Sequence, residues 1–411
     1  MPNDAGREAV SAPVVRTDLV YKRMRDPELL KLYYKMKKAP ISNIIEAAGS
    51  SPTDIFIGRY NYPKVYIGPL LPLQFGDTSI YAMPERWRHF SIPEIVDMRT
   101  RLVRGTYTSN IFNVEKGRVE EQIRDLALSE KPSEVEMGFE KRPYFKFPLQ
   151  DDVQPFGPTA QIKSINTYNT KANKDIERSY FDTDATASIS IIELYNRNVP
   201  ISKIDIAFSA GLLGIGSKRK FVPTRWSITA VDDIISKGNL EEVKAYDLVD
   251  AIYAYYYVAL DNRWLIFFIP GNWQYESAEA WYPNTTWNQG GKEIEIDSSY
   301  EGNRGRNTYA EIGGCYYAAR VAVTEKLKEI KKQAVVLILR EVHEGYTLPV
   351  GVWNVREHVR EALATQPKVL HNVSEMLAYI KEKMEIDAKT WIANTRILKD
   401  MMMQPRLSNY F

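Results

Sequence analysis

The last eight residues of the chain, QPRLSNYF, place Gln404, Leu407, Tyr410 and Phe411 in a spacing suited to docking on another protein. The order is a glutamine, two residues, an aliphatic, two residues and then two aromatics, the pattern of peptides that bind the ring-shaped sliding clamp PCNA (the PIP motif). In one 3₁₀ turn, residues three apart eclipse each other, so Leu407 and Tyr410 share an apolar face. Phe411 extends that face into a plug for a hydrophobic pocket, and the Gln404 amide suits a small polar one. The plainer reading is an apolar C-terminus that matches by accident. Ordinary residue frequencies give that odds on the order of 1 in 10⁴ at a given start position. Clamp docking is therefore expected, with residues 403–411 a flexible tail until a partner covers its aromatics.

A second constellation mixes aromatics with arginines. Trp281, Tyr282, Trp287, Tyr300, Arg304, Arg306 and Tyr309 are interleaved with Glu293, Glu295, Asp297 and Glu301 and preceded by Glu279. Aromatics beside Arg can stack bases and grip phosphates, and the carboxylates are of the type that holds Mg²⁺ or Mn²⁺ for phosphoryl chemistry. The plainer alternative is a loop braced to the core, its arginines paired with Glu301 or Glu311. Arg59 and Lys64 lie in a similar mixture of glycine, base and aromatic. They are expected to share a concave nucleic-acid surface with Trp287, Tyr300, Arg304, Arg306 and Tyr309. Arg101 and Arg104, three apart on an expected helix, offer another phosphate-gripping face, as does Lys218-Arg219-Lys220 with Arg225. A basic run is more often only a solvated face.

Catalytic candidates are few. Glu341 and His343 alternate around Val342 at the end of an apolar run and so share one face. Together with Glu301 they are candidates for acid–base work or metal ligation, against the plainer reading of a polar strand end. The single cysteine, Cys315, and four scattered histidines, His89, His343, His358 and His371, make no zinc pattern, so no zinc and no metal site is expected. Mg²⁺ or Mn²⁺ enters only if the protein is an enzyme. GLLGIGSK, residues 211–218, is a decoy for a P-loop, because its serine precedes the lysine.

The elements that must position these residues follow from periodicity. Residues 1–22 read as a polar arm, and a helix is expected over 26–37. Two β-rich runs around Asn61-Tyr62-Pro63 read as a hairpin. Helices are expected at 92–104 and 117–129, extended chain over 131–172, and helices at 184–196, at 202–212 and from Ser227, which would cap it above Asp232-Asp233. AIYAYYYVAL and RWLIFFIP, joined at Asp261-Asn262, read as a hairpin. A long helix opens at Thr308, and AVVLILREV is a buried strand, with helices after it near 352–364, 373–384 and 389–402. Fifty-four Lys and Arg face 52 Asp and Glu, a formal charge of +2, so any nucleic-acid surface must be a local patch. The N-terminus lacks an apolar segment of signal length, and the most apolar stretch, near 248–270, is interrupted by Asp250 and Asp261. A cytoplasmic protein, with no membrane partner, is expected.

Several long stretches resemble the archaeal Nre DNA-repair family: SPTDIFIGRYNYPKVYIGPL, the segment around VRGTY, TRWSITAVDD, EAWYPNTTWN through YEGNRGRNTYAEIGGCYYAAR, and LREVHEGYTLPVGVWNVRE. Together they span most of residues 40–360. The resemblance implies a long N-terminal and a short C-terminal region with a clamp-interacting motif at the end, and it implies DNA repair without supplying a reaction. The cysteine-rich zinc segment of some members has no counterpart here. The expected architecture is α+β, with mixed sheets and packed helices in two closely associated regions, 23–285 and 286–402, between the arm and the tail. The expected function is a DNA-repair factor that binds DNA and is recruited to PCNA. The alternative is a metal-dependent nuclease or another nucleic-acid-processing enzyme recruited the same way.

Overall fold

A computed structural model describes residues 44–144, 155–285, 287–288, 290–346 and 348–403. The expected arm, the helix over 26–37 and the docking tail lie outside these residues. The described part contains twelve strands in two six-stranded sheets, with eleven α-helices. This is the expected α+β arrangement of mixed sheets in two regions.

The first sheet is built from β1 (Glu46–Ser51), β2 (Ile55–Ile57), β3 (Lys64–Pro72), β4 (Leu102–Asn110), β5 (Ser133–Phe139) and β6 (Thr159–Tyr168), in the order β1-β5-β6-β4-β3-β2. β4 and β6 run parallel, and the other neighbours are antiparallel. The β2–β3 pair is the expected hairpin, with Asn61 at φ 64° in its turn. Gly49 lets β1 close on the end of β3, since a Cβ there would lie 2.2 Å from the Pro72 carbonyl oxygen.

α1 (Ile92–Thr100) starts in a Ser91–Glu94 capping box and stops four residues short of the expected end, because LVRGTYTSN continues as β4. Arg101 and Arg104 therefore do not share a helix face. α2 (Arg118–Leu128), α3 (Lys174–Phe181), α4 (Ala187–Asn196) and α5 (Ile201–Ser209) pack with this sheet.

α6 (Thr224–Val243) has Pro223 at its N-cap, four residues before the expected cap. Ser227 instead lies inside the helix and donates to the Asp205 carbonyl at 2.7 Å. α6 joins two cores: Val231 and Ile235 face the first sheet, and Ile228, Leu240 and Val243 face the second.

The second sheet takes β7 (Ile252–Ala259), β8 (Asn262–Ile269), β9 (Gln274–Trp281), β10 (Glu295–Glu301), β11 (Val335–Val342) and β12 (Lys368–Leu370) in the order β10-β9-β11-β8-β7-β12. It draws strands from both sides of residue 285. Leu260 and Asp261, both at positive φ, close the β7–β8 hairpin. Period-two alternation sorts the side chains of this sheet. Trp264, Ile266, Phe268, Val336 and Ile338 pack under α6, α7 (Gly314–Glu329) and α8 (Trp353–Ala364). Leu265, Phe267, Leu337 and Leu339 pack against α9 (Val373–Lys383), α10 (Ala388–Asn394) and α11 (Arg396–Met403). A strand covered on both faces reads as one apolar run, which is why AVVLILREV was legible.

Three other expectations shift. α7 starts at Gly314 rather than Thr308, after Gly313 turns the chain at φ 64°. The loop expected over 281–309 contains β10. The helix expected over 389–402 is two, because the buried Glu276 carboxylate accepts the amides of Arg396 and Ile397 at 2.7 Å each and so starts α11 afresh. Among the described residues no helix is long and apolar enough to cross a membrane.

Candidate functional site

Tyr300 is the penultimate residue of β10, and a turn with Gly305 at φ 76° returns the chain as Arg306. The Arg306 guanidinium donates to the carbonyls of Tyr300, Thr308 and Tyr309 at 3.1–3.2 Å. It also donates to both carboxylate oxygens of Glu311, at 2.9 and 2.8 Å. The plainer reading thus holds for Arg306, whose side chain is 10% exposed: it braces the loop. Arg304 stands exposed at the tip of the same turn. Tyr309 is exposed beside Tyr317, and Trp287 meets the edge of Trp281 at 6.1 Å.

Tyr300 and Arg306 line a cleft of about 610 Å³ with Arg396, Lys399 and Asp400 of α11. The Arg396 guanidinium sits 4.3 Å above the Tyr300 ring, an aromatic–arginine stack of the kind a base could extend. Three cations, Arg306, Arg396 and Lys399, share the cleft with Glu276, Glu311 and Asp400, so its charge is mixed. Of the residues expected to form one concave surface, the cleft gathers only these two. Arg59 lies beside the Tyr60 ring in the β2–β3 connection and Lys64 starts β3, and neither lines it. Arg101 is exposed and paired with Asp97. Arg104 is held on β4 between the Phe56 and Phe156 rings, 3.7 and 4.8 Å from their centroids, and burial lowers its pKa to about 9. Arg396 and Lys399 were missed because a terminal amphipathic helix gives no sign of which face it turns to a cleft.

The catalytic candidates are tied into the structure. Glu301 is buried, accepts from Arg320 at 2.7 Å and from the Trp273 indole at 3.1 Å, and takes part in no open site. Glu341 and His343 do meet, with His343 Nε2 3.4 Å from a carboxylate oxygen. That carboxylate also accepts the amides of Glu385 and Ile386, at 3.1 and 2.8 Å, while His343 stacks 4.2 Å from the Tyr282 ring. Among the described residues, no three His, Cys, Asp or Glu side chains gather so as to hold a metal ion.

A polar interior went unread in the sequence. Asp54, Thr224, Trp353 and Arg356, from three of the stretches that carry the family resemblance, meet Asp205 of α5 around a small cavity of about 40 Å³. Arg356 pairs with the buried Asp232 at 2.6 Å. Among the described residues, the second Asp232 oxygen and Asp205 Oδ1 are buried without a partner. Burial, and then the charge of Asp232, raise the Asp205 carboxyl well above the usual carboxylate range. Groups so placed collect where a protein does chemistry. Their sequence signal was weak, since ISKIDIAFS reads simply as an amphipathic helix.

The comparisons with known proteins cover almost the whole chain. Residues 24–288 match the family model described as archaeal Nre, N-terminal, and residues 301–410 match that of archaeal Nre, C-terminal. The chain is 38% identical over 352 residues, 85% of its length and 88% of the relative's, to "DNA repair protein NreB" of Archaeoglobus fulgidus. It is 35% identical to "DNA repair protein NreA" of the same organism, over 89% of this chain and 91% of that one. It is also 35% identical to "DNA repair protein NreA" of Haloferax volcanii, over 76% and 77%. No solved structure matches it. The chain belongs to the archaeal Nre family.

Proposed function

We propose that this protein is a DNA-repair factor that binds DNA and is recruited to the sliding clamp PCNA through Gln404, Leu407, Tyr410 and Phe411. The observation that carries the repair reading is similarity over most of the chain to three proteins named for DNA repair. Recruitment rests on the tail pattern, which directly follows α11, an element beside the cleft of Tyr300 and Arg396. A protein docked there through an aromatic plug would hold this cleft near the DNA inside the ring. Phosphates would meet Arg304, Arg396 and Lys399, and bases would stack on the Arg396–Tyr300 pair and on the exposed rings of Tyr309 and Trp287. Arg59 and Lys64, at the β2–β3 hairpin, would form a separate contact.

Titration of a labelled clamp with the full chain and with a chain lacking residues 404–411 tests recruitment. Saturable binding that disappears with the tail, at an unchanged melting temperature, supports the proposal. Equal affinity of both chains would remove the tail from the account.

A further inference from the structure

α5 carries a second reactive group that neither the DNA cleft nor the tail uses. Lys203 lines a cavity of about 120 Å³ with Thr53, Ser79, Asn173 and Ser202, next to the smaller Asp205 cavity, with which it shares Ala82, Ser202 and Ile206. Its Nζ donates to the Thr53 hydroxyl at 2.8 Å rather than to a carboxylate. Asp54, the carboxylate that acts on it, is already tied to the buried Arg99 at 2.8 Å. Thr53 is held at φ 66°, a left-handed conformation rare for a β-branched residue, and such strain collects at functional sites.

We propose that Lys203 is the amine nucleophile of a carbonyl-binding site and that its substrate class is the ring-opened aldehyde of an abasic nucleotide in DNA. This rests on the DNA-repair reading. Burial lowers the amine to about 7, with Asp54 opposing, so a sizeable fraction is unprotonated at neutral pH and able to attack. An uncharged lysine in a cavity serves as a base or as a nucleophile toward carbonyls. In DNA the open-chain sugar that has lost its base presents the accessible aldehyde. A cavity of this size lies below the range that takes drug-sized ligands, and it suits a sugar without its base. Lys131, exposed at the rim, can meet a flanking phosphate, while neighbouring Glu130 is paired with Lys171 at 3.2 Å. In the step, Nζ bonds to C1′ and the C1′–oxygen bond breaks. The oxygen leaves as water with the two amine hydrogens, and the product is an imine. Nothing is oxidised or reduced.

The full chain is incubated at neutral pH with a duplex bearing one abasic site and with sodium cyanoborohydride, which reduces an imine to a permanent amine link. Peptide mass spectrometry then locates the link. The expected result is a protein–DNA adduct at Lys203 that is lost in Lys203→Arg, which keeps the positive charge. Melting temperatures establish that the variant folds. A link at another lysine in the wild-type chain, which needs no variant, overturns the proposal, as does an undiminished adduct in folded Lys203→Arg. A wild-type chain that binds intact and abasic duplex by fluorescence anisotropy but gives no adduct also overturns it, leaving DNA binding standing. Failure to bind either duplex overturns the DNA reading itself, and with it the assigned substrate.

Discussion

Arg304 and Arg306 stand two positions apart and do different work. Arg306 makes five hydrogen bonds within its own loop, and Arg304 makes its turn's tip positive. Arg306→Ala should therefore lower stability by roughly 1 kcal/mol, a modest loss because four of its five hydrogen bonds are exposed to water, and leave the salt dependence of DNA binding unchanged. Arg304→Ala should do the opposite, leaving the melting temperature alone and flattening the plot of log affinity against log salt. Swapped outcomes would exchange their roles. Of the two partners expected for the loop arginines, Arg306 takes Glu311 while Glu301 goes to Arg320; the three carbonyls were not legible, because they depend on where the turn folds back.

His358 is the other residue with a measurable consequence. Buried on α8, it contacts the Asn354 side chain through Nδ1 at 2.5 Å, and burial holds its pKa at about 4 instead of 6.5. Between those values the unfolded chain takes up a proton that the folded chain refuses, so this group lowers stability as pH falls from 6.5 to 4, by roughly 3 kcal/mol in full. Asp205 and Asp232, with raised values, act in the opposite sense, so the test is a difference. Urea midpoints at pH 7 and 4.5 should separate less in His358→Gln than in the wild-type chain. Equal separation would mean that His358 is not held neutral.

At the scale of elements, what the sequence disclosed depended on whether the signal was local. The β7–β8 hairpin was legible because two apolar runs flank Asp261-Asn262, although the turn closes one residue earlier, on Leu260 and Asp261, and Asn262 already belongs to β8. β9 was not, because QYESAEAW puts two carboxylates into a strand whose last seven residues are buried. Each is matched from far along the chain: Glu276 by the start of α11, and Glu279 by Arg340, at 2.7 Å on the neighbouring strand. Such a pair adds little net stability, yet breaking it strands a buried charge. Arg340→Met and Glu279→Gln should each cost roughly 3–5 kcal/mol in urea unfolding, and the double variant less than their sum. Additive costs would mean that the two side chains are not coupled. The end of α1 was misjudged for a related reason. Helical spacing runs on through Arg104, but β4 is set by pairing with β3 and β6, strands distant in sequence.

In the whole molecule, α6 ties the two sheets together by lending apolar side chains to both cores, whereas the sequence showed only a helix from Ser227. The fold class and its two regions were readable from periodicity and from the family stretches. The convergence of Asp54, Thr224, Trp353 and Arg356 was not, since nothing in one sequence states which distant segments touch. A DNA-contacting body joined to a clamp-docking tail should be held on clamp-encircled DNA, and retention there tests that union. PCNA is loaded on closed circular DNA, the protein is added at a salt concentration that weakens direct DNA binding, and the fraction that travels with the DNA is measured. Retention should require the clamp and be lost both on removing residues 404–411 and on changing Tyr410 and Phe411 to Ala. Retention that is indifferent to the clamp, or that survives both changes, would contradict clamp recruitment.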